Sequence, residues 1–205
     1  MFALVESGTI TQFPKGNKGI TLGDNQYPKS IYTLWTEAER NAIGIYTVEI
    51  NETNRKDETF YINTDITYAF GSGKVTGSYG TATAKAIADV DAVDEDGEAL
   101  LDSDGNQIVN YGLKTNYKNQ FNAQAASLLA KTDWYVIKAA DVSDYSVPSA
   151  ITTYRAAVRT KVNAMETAID GCANVAALIT LLTYETDSDG NVTTRPLGEF
   201  PDEVI

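Results

Sequence analysis

Between Ile151 and Ile169, six apolar residues (Ile151, Tyr154, Val158, Val162, Met165 and Ile169) recur at steps of three and four. An α-helix turns once every 3.6 residues, so this spacing lines one face of a helix. Upstream, Leu113, Tyr117, Phe121, Ala125 and Leu128 recur at four, four, four and three. The two stripes predict an αα-hairpin with an intramolecular seam. Each helix should be held by burying its stripe, at roughly 1.5–3 kcal/mol per fully buried large side chain. Thr132 or Asp133 is expected to cap a further helical segment running from Trp134 to Ala140. Pro148 suits a helix start, where its missing N–H would be unpaired anyway. Asp170 and Gly171 end the long helix, and Ala173–Leu182 supplies a short last one.

The first half carries the other periodicity. FALVE, a Ser-Gly turn and TITQF predict an opening β-hairpin over Phe2–Phe13. A loop with Pro14, Gly16, Gly19, Gly23 and Pro28 follows. Thr36 and Glu39 have capping-box spacing, in which each end of the motif satisfies an orphan backbone donor of a first helical turn. Gly44 stops that helix. Ile45–Ile50 alternates like a half-buried strand. Residues 58–70 and 74–83 are rich in Thr, Tyr, Val and Ile, with Gly71-Ser72-Gly73 as the turn between them. The expected fold class is α+β: a small antiparallel β-rich region, then a helical hairpin with a short extra helix.

Charge marks the boundaries. The 205-residue chain has a net charge of −12, and residues 86–112 hold eight acidic residues and no basic one. The expected organisation is a β-rich domain with one short helix over 1–85, an acidic connector with a hairpin over 86–112, a helical domain over 113–183, and an extended tail over 184–205 that docks on another subunit.

Composition narrows the chemistry. With no histidine, the commonest general base, the histidine triads and imidazole zinc sites are excluded. The acidic balance disfavours nucleic acid and anionic membrane as partners, because phosphate neutralisation needs clustered basic residues. The single cysteine, Cys172, lies in an apolar stretch and reads as a small buried hydrophobe. No apolar run is long enough for a membrane span. The first ten residues lack the basic and apolar regions of a signal peptide, so folding in a reducing cytosol is expected.

Candidate sites each have a structural competitor. Asp102-Ser-Asp104-Gly105-Asn106 and Asp187-Ser-Asp189-Gly190-Asn191 resemble part of a calcium loop. The downstream glutamate such a loop needs is replaced by Tyr111 in the first and Pro196 in the second, so both read as turns. The acidic stretch reads as solvated loop rather than the paired carboxylates of a glycosidase. Gly71-Ser72-Gly73-Lys74 lacks the spacing of a phosphate loop. Asp133 is expected to tie to Arg155 and Arg159, one turn apart on the facing helix. Trp134 and Tyr135 are expected to anchor the hairpin, with Trp134→Ala costing ~3–5 kcal/mol if the ring is buried.

Three blocks together resemble tail proteins of tailed bacteriophages. They are the opening hairpin Phe2–Phe13, the run from Leu34-Trp35 through Gly44-Ile45-Tyr46-Thr47-Val48, and Thr132-Asp133-Trp134 followed by Pro148, Tyr154-Arg155 and Val158-Arg159. The third is similar to a C-terminal block of phage tail-fibre assembly proteins and of small tail or baseplate proteins. The ensemble, with the runs 74–85 and 194–199, resembles structural tail proteins of marine phages. The resemblance implies a virion component that joins fibre or baseplate subunits through protein contacts, forms a homo-oligomer in the particle, and passes through the host cytoplasm during assembly. It implies no catalytic residue, and no cofactor, metal, nucleic acid or membrane is expected. A transient assembly chaperone is the alternative, and a polysaccharide depolymerase a third reading. The expected contact residues are Trp35, Tyr46, Thr132, Asp133, Trp134, Tyr154, Arg155 and Arg159, with tyrosine and leucine surfaces expected to matter more than charge.

Overall fold

A computed structural model describes residues 1–204 and divides the chain after Thr83 into two compact units. Strands dominate the first half and helices the second, so the chain is α+β.

The first unit is built on a five-stranded sheet of order β2-β1-β5-β8-β7. Its strands are β1 (Phe2–Glu6), β2 (Thr9–Gln12), β5 (Ile45–Asn51), β7 (Ile66–Gly71) and β8 (Lys74–Tyr79). The β1–β2 and β7–β8 turns carry positive φ at Ser7-Gly8 and Ser72-Gly73, the twist that a two-residue hairpin needs. The sheet is not wholly antiparallel, which corrects the sequence expectation. β5 and β8 run parallel, with Val48 opposite Val75 and Ile50 opposite Gly77. The cause is topological: β8 is entered from β7, an outer strand antiparallel to it, and so returns in the direction of β5.

Alternation along β1 and β5 separates two small cores. Ala3, Val5, Val48 and Val75 fill one, flanked by Ile10, Tyr46, Tyr68 and Phe70. Leu4 and Ile45 point the other way, onto Ile31 and Tyr32 of α1 (Ile31–Leu34) and onto Ile20, Leu22 and Tyr27 of the hairpin β3 (Ile20–Leu22) and β4 (Asn25–Tyr27). Phe13 packs on Tyr68 with ring centroids 4.7 Å apart, drawing the end of β2 toward β7 across the open side of the sheet. The helix α2 (Glu37–Ala42) starts on a complete Thr36–Glu39 capping box, and Gly44 (φ +82°) ends it. The short ladder of β6 (Tyr61–Ile62) and β9 (Thr83–Ala84) completes the strands of this half.

The second unit opens with a three-way strand junction. β10 (Val90–Asp91) pairs with β11 (Val109–Asn110), and residues 98–102 bridge to both sides through Val93–Ala99 and Leu101–Gln107. Three backbone bonds close a ring. Ala92 N–H donates to the Ile108 carbonyl (2.8 Å), Ile108 N–H to Leu100 (2.8 Å), and Leu100 N–H back to Ala92 (2.9 Å). The two intervening turns are alike. Asp94 Oδ1 accepts from the N–H of Asp96 and Glu98, and Asp102 Oδ1 from those of Asp104 and Asn106, all at 2.9 Å. Asp187 repeats the arrangement in the hairpin of β12 (Glu185–Thr186) and β13 (Val192–Thr194). The connector is thus a folded knob with two acidic turns, where the sequence suggested one hairpin.

Asp102 and Asp187 hold their carboxyls below the usual aspartate range, each chiefly through the backbone N–H four residues on and then that asparagine's amide. A folded-state pKa below the unfolded one adds stability above the unfolded value, about 3.9, and that stability is lost as pH falls through the folded value. The turn amides of Asn106 and Asn191 should therefore keep their protection at pH 5 and lose it together in strong acid. An amide-exchange series in which they open near pH 5, well above the ordinary aspartate value, would contradict this.

The helices are α3 (Leu113–Ala130), α4 (Asp133–Asp141), α5 (Ser149–Asp170) and α6 (Val175–Leu182). All six α5 stripe residues are buried, and Ala125, Phe121, Leu128 and Leu129 of α3 pack with Tyr154, Val158 and Val162. Cys172 is buried. The start of α3 is capped from a distance. Gly112 N–H donates to Asp89 Oδ1 (2.8 Å) and Thr115 Oγ1 to Asp89 Oδ2 (2.9 Å), while the N–H groups of Leu113 and Lys114 reach the carbonyls of Ala86 and Ile87.

The tail also departs from expectation. After the β12–β13 hairpin it packs on its own unit: Leu197 is buried, Phe200 joins the α3–α5 seam, and Lys161 Nζ donates to the Leu197 carbonyl (2.7 Å). Two large apolar side chains give it enough surface to bury within the chain.

Candidate interaction site

The expected contact residues separate once folded. Trp35 is half-buried, edge-on to Tyr27 at 5.8 Å, and its carbonyl accepts from Arg40. Tyr46 is half-buried against Phe70 at 4.8 Å. Both serve the two cores of the first unit, because β5 alternation and the α1 terminus turn them inward.

Thr132, Asp133, Tyr154 and Arg155 gather where α3 meets α4. Thr132 is fully buried and stands at the N-cap position of α4, as expected, but its side chain makes no capping hydrogen bond to that helix. Its Oγ1 donates to the Leu129 carbonyl (2.9 Å) and accepts from Arg155 Nη1 (2.7 Å). The same Nη1 donates to the Leu129 carbonyl (2.8 Å) and lies 2.8 Å from Asp133 Oδ1. Arg155 is 11% exposed, so one largely buried guanidinium nitrogen is shared among a helix-end carbonyl, a buried hydroxyl and a carboxylate. Arg159 stays out of this cluster. It is exposed, and its guanidinium lies 3.5 Å from the Arg155 carbonyl. α5 runs antiparallel to α3, so one turn further along it Arg159 lies back beside the body of α3, away from the Leu129–Asp133 junction. Tyr154 is buried in the seam, and its hydroxyl has no partner among the described residues.

This junction holds α4 as a platform, and the platform is apolar on its outside. Trp134, Val136 and Ile137 are 51%, 43% and 60% exposed, and no α4 residue is fully buried. Trp134 stacks on Tyr135 with centroids 4.2 Å apart, and the Lys138 ammonium sits over Trp134 (5.5 Å) and Tyr145 (4.3 Å). The expected anchoring role of Trp134 is therefore overturned. Residues 135 and 139 face the bundle, which leaves position 134 outside. What sequence reasoning missed is Ile137, whose place beside Trp134 one helical turn on was available from spacing alone.

Compared with known protein families, curated proteins and solved structures, the chain has no match.

Proposed function

We propose that this chain is a structural subunit of a phage tail that joins fibre or baseplate components by protein–protein contact. The observation that carries the reading is the α4 face. A tryptophan and two aliphatic side chains stand exposed on a helix whose root is fixed by the buried Arg155 cluster. Trp134 and Ile137 are neighbours one helical turn apart, and exposed apolar groups that include an aromatic on a held element are what a contact hot spot requires. The resemblance of Thr132-Asp133-Trp134 and Tyr154-Arg155 to phage tail blocks supplies the context.

The test is composition. Mass spectrometry of purified particles should find the chain at fixed stoichiometry, and a Trp134→Ala/Ile137→Ser chain should fold normally yet drop out of the particle by about tenfold or more. Absence of the wild-type chain from particles, combined with capture of fibre protein in infected-cell extracts, would assign the transient chaperone role instead.

A further inference from the structure

The first unit has a cleft of about 420 Å³ whose lining includes Phe13, Pro14, Ile20 and Tyr32, with Lys15 and Lys18 as its only charged residues. Among the described residues neither lysine is held in an ion pair. The loop that carries them is pinned. Gly16 has φ +72°, and a Cβ there would lie 3.4–3.5 Å from the rings of Phe2 and Tyr32, while a side chain at Gly19 would meet the Tyr27 carbonyl at 2.4 Å. The cleft is therefore preformed, and its lining joins two cations to aromatic and aliphatic side chains.

The same chain carries the opposite surface. The knob over residues 90–110 has acidic and no basic side chains, and its turn from Asp94 to Glu98 is rigid because Asp94 staples its own backbone. Glu95, Asp96 and Glu98 are left out of any ion pair among the described residues. Beside them, Val93 and Leu101 are 54% and 55% exposed. Aliphatic side chains next to free carboxylates match an apolar lining beside free ammonium groups.

We infer that the Lys15/Lys18 cleft receives the Asp94–Glu98 turn of a second copy of this chain. The two surfaces differ, so the contact is heterologous: each copy offers its knob to one neighbour and its cleft to another. The net charge of −12 opposes association at long range, but at physiological salt that repulsion is screened beyond about 8 Å, while ion pairs closing in the cleft act at contact. The contact uses no residue of α4, and it holds whether or not the chain is a tail subunit.

Sedimentation velocity of the full chain at physiological salt tests this. The wild type should sediment faster as concentration rises. Lys15→Glu/Lys18→Glu and Glu95→Lys/Asp96→Lys chains should each weaken self-association by about tenfold or more. An equimolar mixture of the two should regain it, because the reversed knob fits the reversed cleft and the unreversed pair still fits. Trp134→Ala should leave self-association unchanged. A wild type that stays monomeric to its solubility limit, reversed chains that associate like the wild type, or a mixture that stays apart would each overturn the inference. So would loss of self-association on Trp134→Ala alone. Particle composition is a separate readout, so the failure of this contact and the failure of the tail reading can be told apart.

Discussion

Gly112→Ala is expected to remove about 3 kcal/mol or more from the stability of the helical unit. A Cβ at position 112 would lie 2.3 Å from the Ala88 carbonyl oxygen and 2.4 Å from its carbon, both backbone atoms that no rotamer change can move. Relief requires the 86–89 segment to step away. That segment supplies the Asp89 carboxylate and the carbonyls of Ala86 and Ile87 to the first turn of α3. Steric overlap and loss of the cap thus arrive together. Gly97→Ala is the matched control: nothing lies within 4 Å, and only the φ of +84° opposes it, at about 1–2 kcal/mol. Urea melts followed by the helical circular dichroism signal should separate the two, and equal midpoints for both variants would refute the close-approach argument.

Arg155→Ala should cost about 2–4 kcal/mol, through the buried groups it abandons. The Leu129 carbonyl would lose its guanidinium donor while keeping those of Thr132, and Thr132 Oγ1, in a fully buried site, would lose the one donor it has among the described residues. The ion pair to Asp133 contributes less, because that carboxylate is half exposed, so Asp133→Asn should stay within about 1 kcal/mol. Arg155→Lys should fall between, since its shorter side chain must bring an ammonium to the place that Nη1 holds. Trp134→Ala, on the open face, should also stay within about 1 kcal/mol. A melt in which Trp134→Ala falls further than Arg155→Ala would invert the roles given to these neighbours.

Much of the fold could be read from periodicity. The α5 stripe is buried at every residue named, the capping box closes at Thr36 and Glu39, and the opening hairpin turns at Ser7-Gly8, because each is decided by local spacing. The parallel β5–β8 pair could not be read this way, since strand direction depends on which neighbour a distant hairpin chooses. Asp89 escaped notice for a related reason. It caps a helix 23 residues downstream, where sequence rules look only to the adjacent position. Trp134 was misplaced because an aromatic next to a helix start reads as core unless its azimuth is compared with Tyr135 and Ala139. The knob did leave a signal: Asp94-Glu-Asp-Gly-Glu and Asp102-Ser-Asp-Gly-Asn stand eight residues apart, as do Ala92, Leu100 and Ile108 of the hydrogen-bonded ring.

The knob enters and leaves the second unit through one narrow stem, where Val90 faces Asn110 and residues 86–89 clasp residues 112–114. Tension along the main chain is borne by that stem and bypasses everything beyond it. Residues 92–108 are therefore an exchangeable cartridge: a two-residue turn in their place should leave α3 seated, and foreign turns of other charge or shape should be accepted without refashioning the helices.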